Sequence, residues 1–128
     1  MRDELAELIK RYSRTPEFFR TESTDPNQRG MTGDSLLHSA AVQGDLHDIQ
    51  ILLESGAAVN AIGDMGDTPL HYAASRGFEK IVQILLQHGA DRGIKNEFGQ
   101  VPLDLAKLNH HQSSVRLLER IKSNRGHS

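Results

Sequence analysis

Between residues 66 and 95 the apolar positions fall at helical spacing twice over. Leu70, Ala73 and Ala74 make one stripe, and Phe78, Ile81, Val82, Leu85 and Leu86 make a second. Thr68 has the side chain of a helix N-cap, and Pro69 suits the first helical position, where its missing N–H costs nothing. Gly77 can take the left-handed conformation that ends the first helix, and Gly89 closes the second. The pattern predicts two short antiparallel helices and an exit through ADRGIKNEFG into a turn. The alanines are small because the two helices and their neighbour approach closely there.

The same pattern recurs 33 residues upstream. GDSLLHSAAVQG (Gly33–Gly44) aligns with GDTPLHYAASRG (Gly66–Gly77), and QILLESGA (Gln50–Ala57) with QILLQHGA (Gln83–Ala90). Residues 30–62 and 63–95 share 14 of 33 positions, which establishes a repeat. Downstream the register continues more weakly: Gly99, Pro102, Leu103, Ala106, Val115 and Leu118 keep their places, while Asp104 stands where His71 stood. Upstream, Asn27 and Gly30 fall on Asn60 and Gly63. Degenerate, more polar end units are what a stacked array requires, since each end unit meets water on one side. Leu5, Leu8 and Ile9 make a helix face over residues 3–12, and Thr15-Pro16 predicts a second short helix carrying Phe18 and Phe19.

A turn and two helices every 33 residues, marked TPLHYAASRG, ILL-x-x-GA and VN at 59–60, resemble the ankyrin repeat over about residues 25–121. The resemblance implies an all-α solenoid of stacked helix-turn-helix units with projecting β-turn fingers. On that reading the chain is one domain: a degenerate N-terminal capping unit (1–29), repeats at 30–62 and 63–95, a C-terminal capping repeat (96–122) and a frayed tail (123–128). Departures sit at Ser35-Leu36 in place of Thr-Pro, at Arg92-Gly93 in place of Val-Asn, and at Asp104.

Composition narrows the functional classes. The chain has 128 residues, a formal charge of -2 and no cysteine. That balance argues against a nucleic-acid partner, and the missing thiols remove disulfides, thiolate zinc sites and cysteine nucleophiles. MRDELAELIKRY lacks the apolar core of a signal peptide and no apolar run reaches membrane-spanning length, so a cytoplasmic protein is expected.

Histidine is the first candidate for chemistry. His38 and His71 occupy one slot per repeat, whereas a catalytic histidine has no reason to recur at a repeat period. The family resemblance implies a structural role for them, bonding the cap hydroxyls of Ser35 and Thr68, with Pro69 setting the helix start. His110-His111 point about 100° apart on a helix and make a poor chelate. GDMGD lacks the Lys-Ser/Thr of a phosphate loop, and no nucleophile or metal motif appears. No catalytic residue, cofactor or metal is expected.

What remains is a surface. The resemblance implies that partners contact the finger tips and the exposed side of the first helices. By motif position these are Met31, Thr32 and Asp34; then Asp64, Met65 and Asp67; then Glu97, Phe98 and Gln100. The helix positions are Ser39, Val42 and Gln43, then Tyr72, Ser75 and Arg76, then Leu105, Leu108 and Asn109. Large apolar groups ringed by acid fit an interface with a basic protein. The leading expectation is a non-catalytic protein-binding module, monomeric on its own. An immunity protein against a bacterial toxin, an enzyme's accessory subunit, an enzyme and a self-associating array are the alternatives.

Overall fold

The computed structural model describes residues 2–18 and 23–125, with side chains from Glu4 to Phe18 and from Ser23 to Glu119. Among them are α1 (Arg2–Tyr12), α2 (Leu36–Gln43), α3 (Leu46–Glu54), α4 (Pro69–Arg76), α5 (Glu79–Gln87), α6 (Pro102–Leu108) and α7 (Gln112–Arg125). The helices pair as α2/α3, α4/α5 and α6/α7, and each pair stacks on the next through α2 on α4 on α6 and α3 on α5 on α7. The described chain is therefore all-helical apart from its turns, with one antiparallel bridge between Arg29 and Ser35 at the base of the first turn.

Each first helix starts and stops for a local reason. Ser35 and Thr68 accept a hydrogen bond from the backbone N–H of His38 and His71, and Gly44 and Gly77 end α2 and α4 at φ 75° and 73°. Gly44 has a second reason to lack a side chain: a Cβ there would stand 2.8 Å from Cζ of Phe78, which lies across it from the next unit. In the third unit His110 stands in the glycine position and itself adopts φ 61°.

The core runs unbroken from α1 to α7, through Leu8, Leu36, Leu52, Leu70, Leu85 and Leu118. Ala40, Ala41, Ala73, Ala74 and Ala106 are fully buried, which is how the first helices come close enough to stack. α1 joins the stack by packing on α3. At that contact the Asp48 carboxylate is buried, taking a forked pair of hydrogen bonds from Arg11 (2.8 and 3.2 Å) and one from the Tyr12 hydroxyl (2.9 Å).

The N-terminal unit departs from expectation. Residues 13–18 form turns, with no helix beginning at Pro16. The Thr15 hydroxyl donates to the Tyr12 carbonyl at 2.6 Å, turning back to close α1. Phe18 is buried edge-on to Tyr12, with ring centroids 6.4 Å apart; Phe19 lies outside the described residues. At the other end α7 continues to Arg125, past the boundary expected at 122.

Candidate functional site

Three fingers project beside the first helices, at residues 30–34, 63–67 and 96–100. Each closes on itself: Gly30, Gly63 and Asn96 donate to the carbonyls of Asp34, Asp67 and Gln100 at 2.8–2.9 Å. The second residue of each finger also sends its N–H to the segment before it. Met31 donates to the Glu17 carbonyl, Asp64 to the Asp34 carboxylate and Glu97 to the Met65 carbonyl, at 2.9, 2.8 and 2.9 Å. Met65 presents that carbonyl from the left-handed region, at φ 60°, a conformation uncommon for a methionine.

The repeated histidines tie the fingers to the helices. In unit one, Nδ1 of His38 accepts from the Ser35 N–H (3.1 Å) and lies 2.9 Å from its hydroxyl, so the proton sits on Nε2, which donates to the Asp67 carbonyl at 2.8 Å. His71 makes the same set with Thr68 and the Gln100 carbonyl, at 3.0, 2.9 and 2.9 Å. Both rings are fully buried. Burial holds the His38 imidazole below its ordinary pKa; the Asp67 carbonyl and the Asp34 and Asp67 charges oppose that, while Arg29 adds to it. Asp104 has no second nitrogen to send onward. Its carboxylate accepts the Val101 N–H at 3.0 Å and the series ends.

A parallel series runs along the opposite loops. Asn27 donates to the Gly56 carbonyl and accepts from Ala58; Asn60 repeats this with Gly89 and Asp91. Gly93, the next residue in register, has no side chain to continue it.

Between the second and third fingers lies a groove of about 430 Å³. Met65 and Phe98 supply finger side chains, α4 supplies Tyr72, Ser75 and Arg76, and Val42 and Leu105 come from the flanking first helices. Asp67, Asn96 and Gln100 complete the lining at the finger bases. Met65 is 49% exposed and Phe98 68%. Tyr72 packs edge-on to the His38 ring, with centroids 5.4 Å apart, and its hydroxyl donates to the Asp34 carboxylate at 3.0 Å. Burial, then Asp34, then the charges of Asp67 and Asp64, push this phenol well above its ordinary pKa.

The groove thus brings together Val42, Met65, Asp67, Tyr72, Ser75, Arg76, Phe98, Gln100 and Leu105 from the expected surface set. The rest lie outside it. Met31 is 82% exposed on the first finger, and Thr32 is held there by its N–H and hydroxyl bonds to the Glu17 carboxylate (2.9 and 2.7 Å). Asp34 is occupied by Tyr72 and the Asp64 N–H. Asp64 and Glu97 stand exposed on the second and third fingers, and Gln43 is exposed at the end of α2. Asn109 is committed to α4, donating to the Ser75 carbonyl at 2.9 Å.

Three residues with definite roles escape a reading of the sequence. Asn96 is buried; its side-chain oxygen accepts from Phe98 and Gln100, and its amide donates to Asp67 Oδ1 at 2.9 Å. Its signal was an asparagine where Gly30 and Gly63 stand in the repeat. Asp48 was signalled in the same way, as a carboxylate in register with the buried Ile81. Glu17 carries no signal, because the turn that brings it to the first finger has no counterpart in the repeat.

Stacked pairs of short helices, joined by hydrogen-bonded fingers at a fixed period, define a helical repeat protein with a groove along one face. The family model of ankyrin repeats in three copies matches residues 6–96 and, overlapping, 37–125, and the chain belongs to that family. The match begins at residue 6, well before the start at 25 expected from the motifs. A search of curated proteins returns no match. Ankyrin repeats are in general non-catalytic modules for binding other proteins. Among the described residues no helix is long and apolar enough to cross a membrane.

Proposed function

We propose that this protein binds another protein, of basic character, through the concave face formed by its fingers and first helices. One observation carries the reading: the groove between the second and third fingers gathers exposed Met65 and Phe98 beside finger carboxylates that have no ion-pair partner among the described residues. Ion pairs among the described residues join Lys10 to Glu7, Arg11 to Asp48, His47 to Glu4 and Lys107 to Glu119, and none involves a finger. Unpaired surface acid speeds the approach of a basic partner, and the apolar groups anchor it.

Asp64 and Glu97 are the residues to test, since both are exposed and their side chains make no hydrogen bond or ion pair among the described residues. Their joint replacement by lysine is expected to weaken capture of the native partner and flatten its salt dependence, with an unchanged circular dichroism spectrum. Binding and salt dependence equal to the parent protein would dismiss the acidic-finger reading. The module acts as a cytoplasmic monomer on this reading. An immunity protein or an accessory subunit would use the same face, and co-purification from the native host separates them by whether the partner is a toxin or an enzyme.

A further inference from the structure

The groove between the second and third fingers is built for one kind of side chain. Its walls include a thioether (Met65), a phenyl ring (Phe98) and a leucine (Leu105), which suit a long apolar stem. Asp67 stands at its base, half-buried. One of its oxygens, Oδ1, accepts from Asn96, and Oδ2 accepts no hydrogen bond among the described residues. The asparagine that fixes Asp67 is itself buried and anchored to the third finger by backbone bonds, so the free oxygen is held in place. Asp34 and Asp64 lie close enough to Tyr72, on the groove wall, to act on its hydroxyl together with Asp67. Arg76 is the cation of the lining; it is exposed and makes no ion pair among the described residues.

We infer that this groove receives a lysine or arginine side chain of the partner protein, its stem between Met65 and Phe98 and its cationic head on Asp67 Oδ2. Phe98 also offers a ring face to the cation. An acidic side chain would find Arg76, but it would enter against Asp67 and against Asp64, which acts on the groove wall at Tyr72. Within the lining Asp67 and Arg76 balance, and the further carboxylates of Asp34, bonded to Tyr72, and Asp64 beside that wall set the sign of the occupant. Arg76 then opposes the ligand, so removing its charge should tighten binding. An acidic occupant requires the reverse.

This inference rests on the proposed concave-face binding, and the test separates the two. A displayed library of random linear peptides is selected on the immobilised protein, and enriched peptides are synthesised for titration against variants. Asp67→Asn keeps an oxygen for Asn96 and removes the charge; Phe98→Ala removes an exposed wall. Arg76→Gln removes the opposing cation, and Lys80→Glu on the exposed side of α5 is the control.

The expected result is a shared Arg or Lys beside apolar residues. Asp67→Asn should weaken binding about tenfold or more, since a hydrogen-bonded charge is lost. Phe98→Ala should also weaken it, Arg76→Gln should strengthen it, and Lys80→Glu should leave it unchanged. Peptides that need Phe98 but share a carboxylate and are weakened by Arg76→Gln, or that ignore Asp67→Asn, overturn the basic occupant and leave the module intact. Peptides insensitive to every groove variant, or no enrichment at all, overturn both.

Discussion

His71 belongs to a mechanical series: each repeated histidine fixes a helix cap on one side and the next finger on the other. Removing His71 with alanine leaves the buried Thr68 N–H and hydroxyl without the ring nitrogen, while the Gln100 carbonyl keeps only the Asn96 N–H. The loss should be about 1–3 kcal/mol, read from the urea midpoint. His38 adds a pH dependence with a definite sign. Its folded-state pKa lies below the ordinary 6.5, so the unfolded chain takes the proton first as pH falls. Stability from this residue is complete above pH 6.5 and declines below it toward the folded-state value. One group can contribute a slope of at most about 1.4 kcal/mol per pH unit. His38→Gln should lower stability at pH 7.5 and reduce the acid-side slope; an unchanged slope would clear His38 of the effect. Met65 behaves differently, because its φ of 60° is strained for a side chain that faces solvent. Met65→Asn should hold or raise stability by up to roughly 1 kcal/mol, asparagine tolerating the left-handed region. It should weaken peptide binding all the same, separating the groove's function from the fold.

Among the elements, α1 is attached to the stack through a charged contact in a position that the next repeat fills with Ile81. Asp48 is 1% exposed, while the Arg11 side chain remains half in water. Arg11→Met alone strands a buried carboxylate and should cost about 2–3 kcal/mol, less than a fully buried pair would because Arg11 is solvated. The triple change Arg11→Met, Asp48→Ile, Tyr12→Phe removes every polar group of the cluster at once. It should recover most of that loss, the two changes being compared by chemical denaturation. A triple variant as unstable as the single one would mean that the cluster's geometry, and not the stranded charge, holds α1. The α2 and α4 helices depend instead on packing without gaps. Ala73→Leu has no space to enter and should cost about 1–3 kcal/mol in the same assay.

For the whole molecule, two hydrogen-bond series run along the stack. One uses His38 and His71, the other Asn27 and Asn60, and they stop at Asp104 and Gly93. The middle repeat is the unit held on both sides by the histidine series, and α5 packs between α3 and α7. Amide exchange should therefore be slowest in α4 and α5 and faster in α1 and α7, since a stacked array opens from its ends. Equal protection along the chain would show instead a single cooperative unit.

The sequence by itself determined the architecture of this protein. The period of 33 residues, the caps Ser35 and Thr68, and the glycines at 44 and 77 are local choices that repeat, and each acts over a few residues of chain. It also placed Met65, Phe98 and Tyr72 on the surface that the scaffold leaves free. Only the tertiary structure decided which carboxylates remain available. Asp34, Asp64 and Asp67 read alike in sequence, but Asp34 is taken by Tyr72 from 38 residues away, and Asp67 is half taken by Asn96 from 29. Asp48 met Arg11, and Glu17 met the first finger, across contacts that no repeat pattern encodes. A hydrogen bond between units depends on where two separate turns come to rest, and that position is a property of the stack, not of either segment.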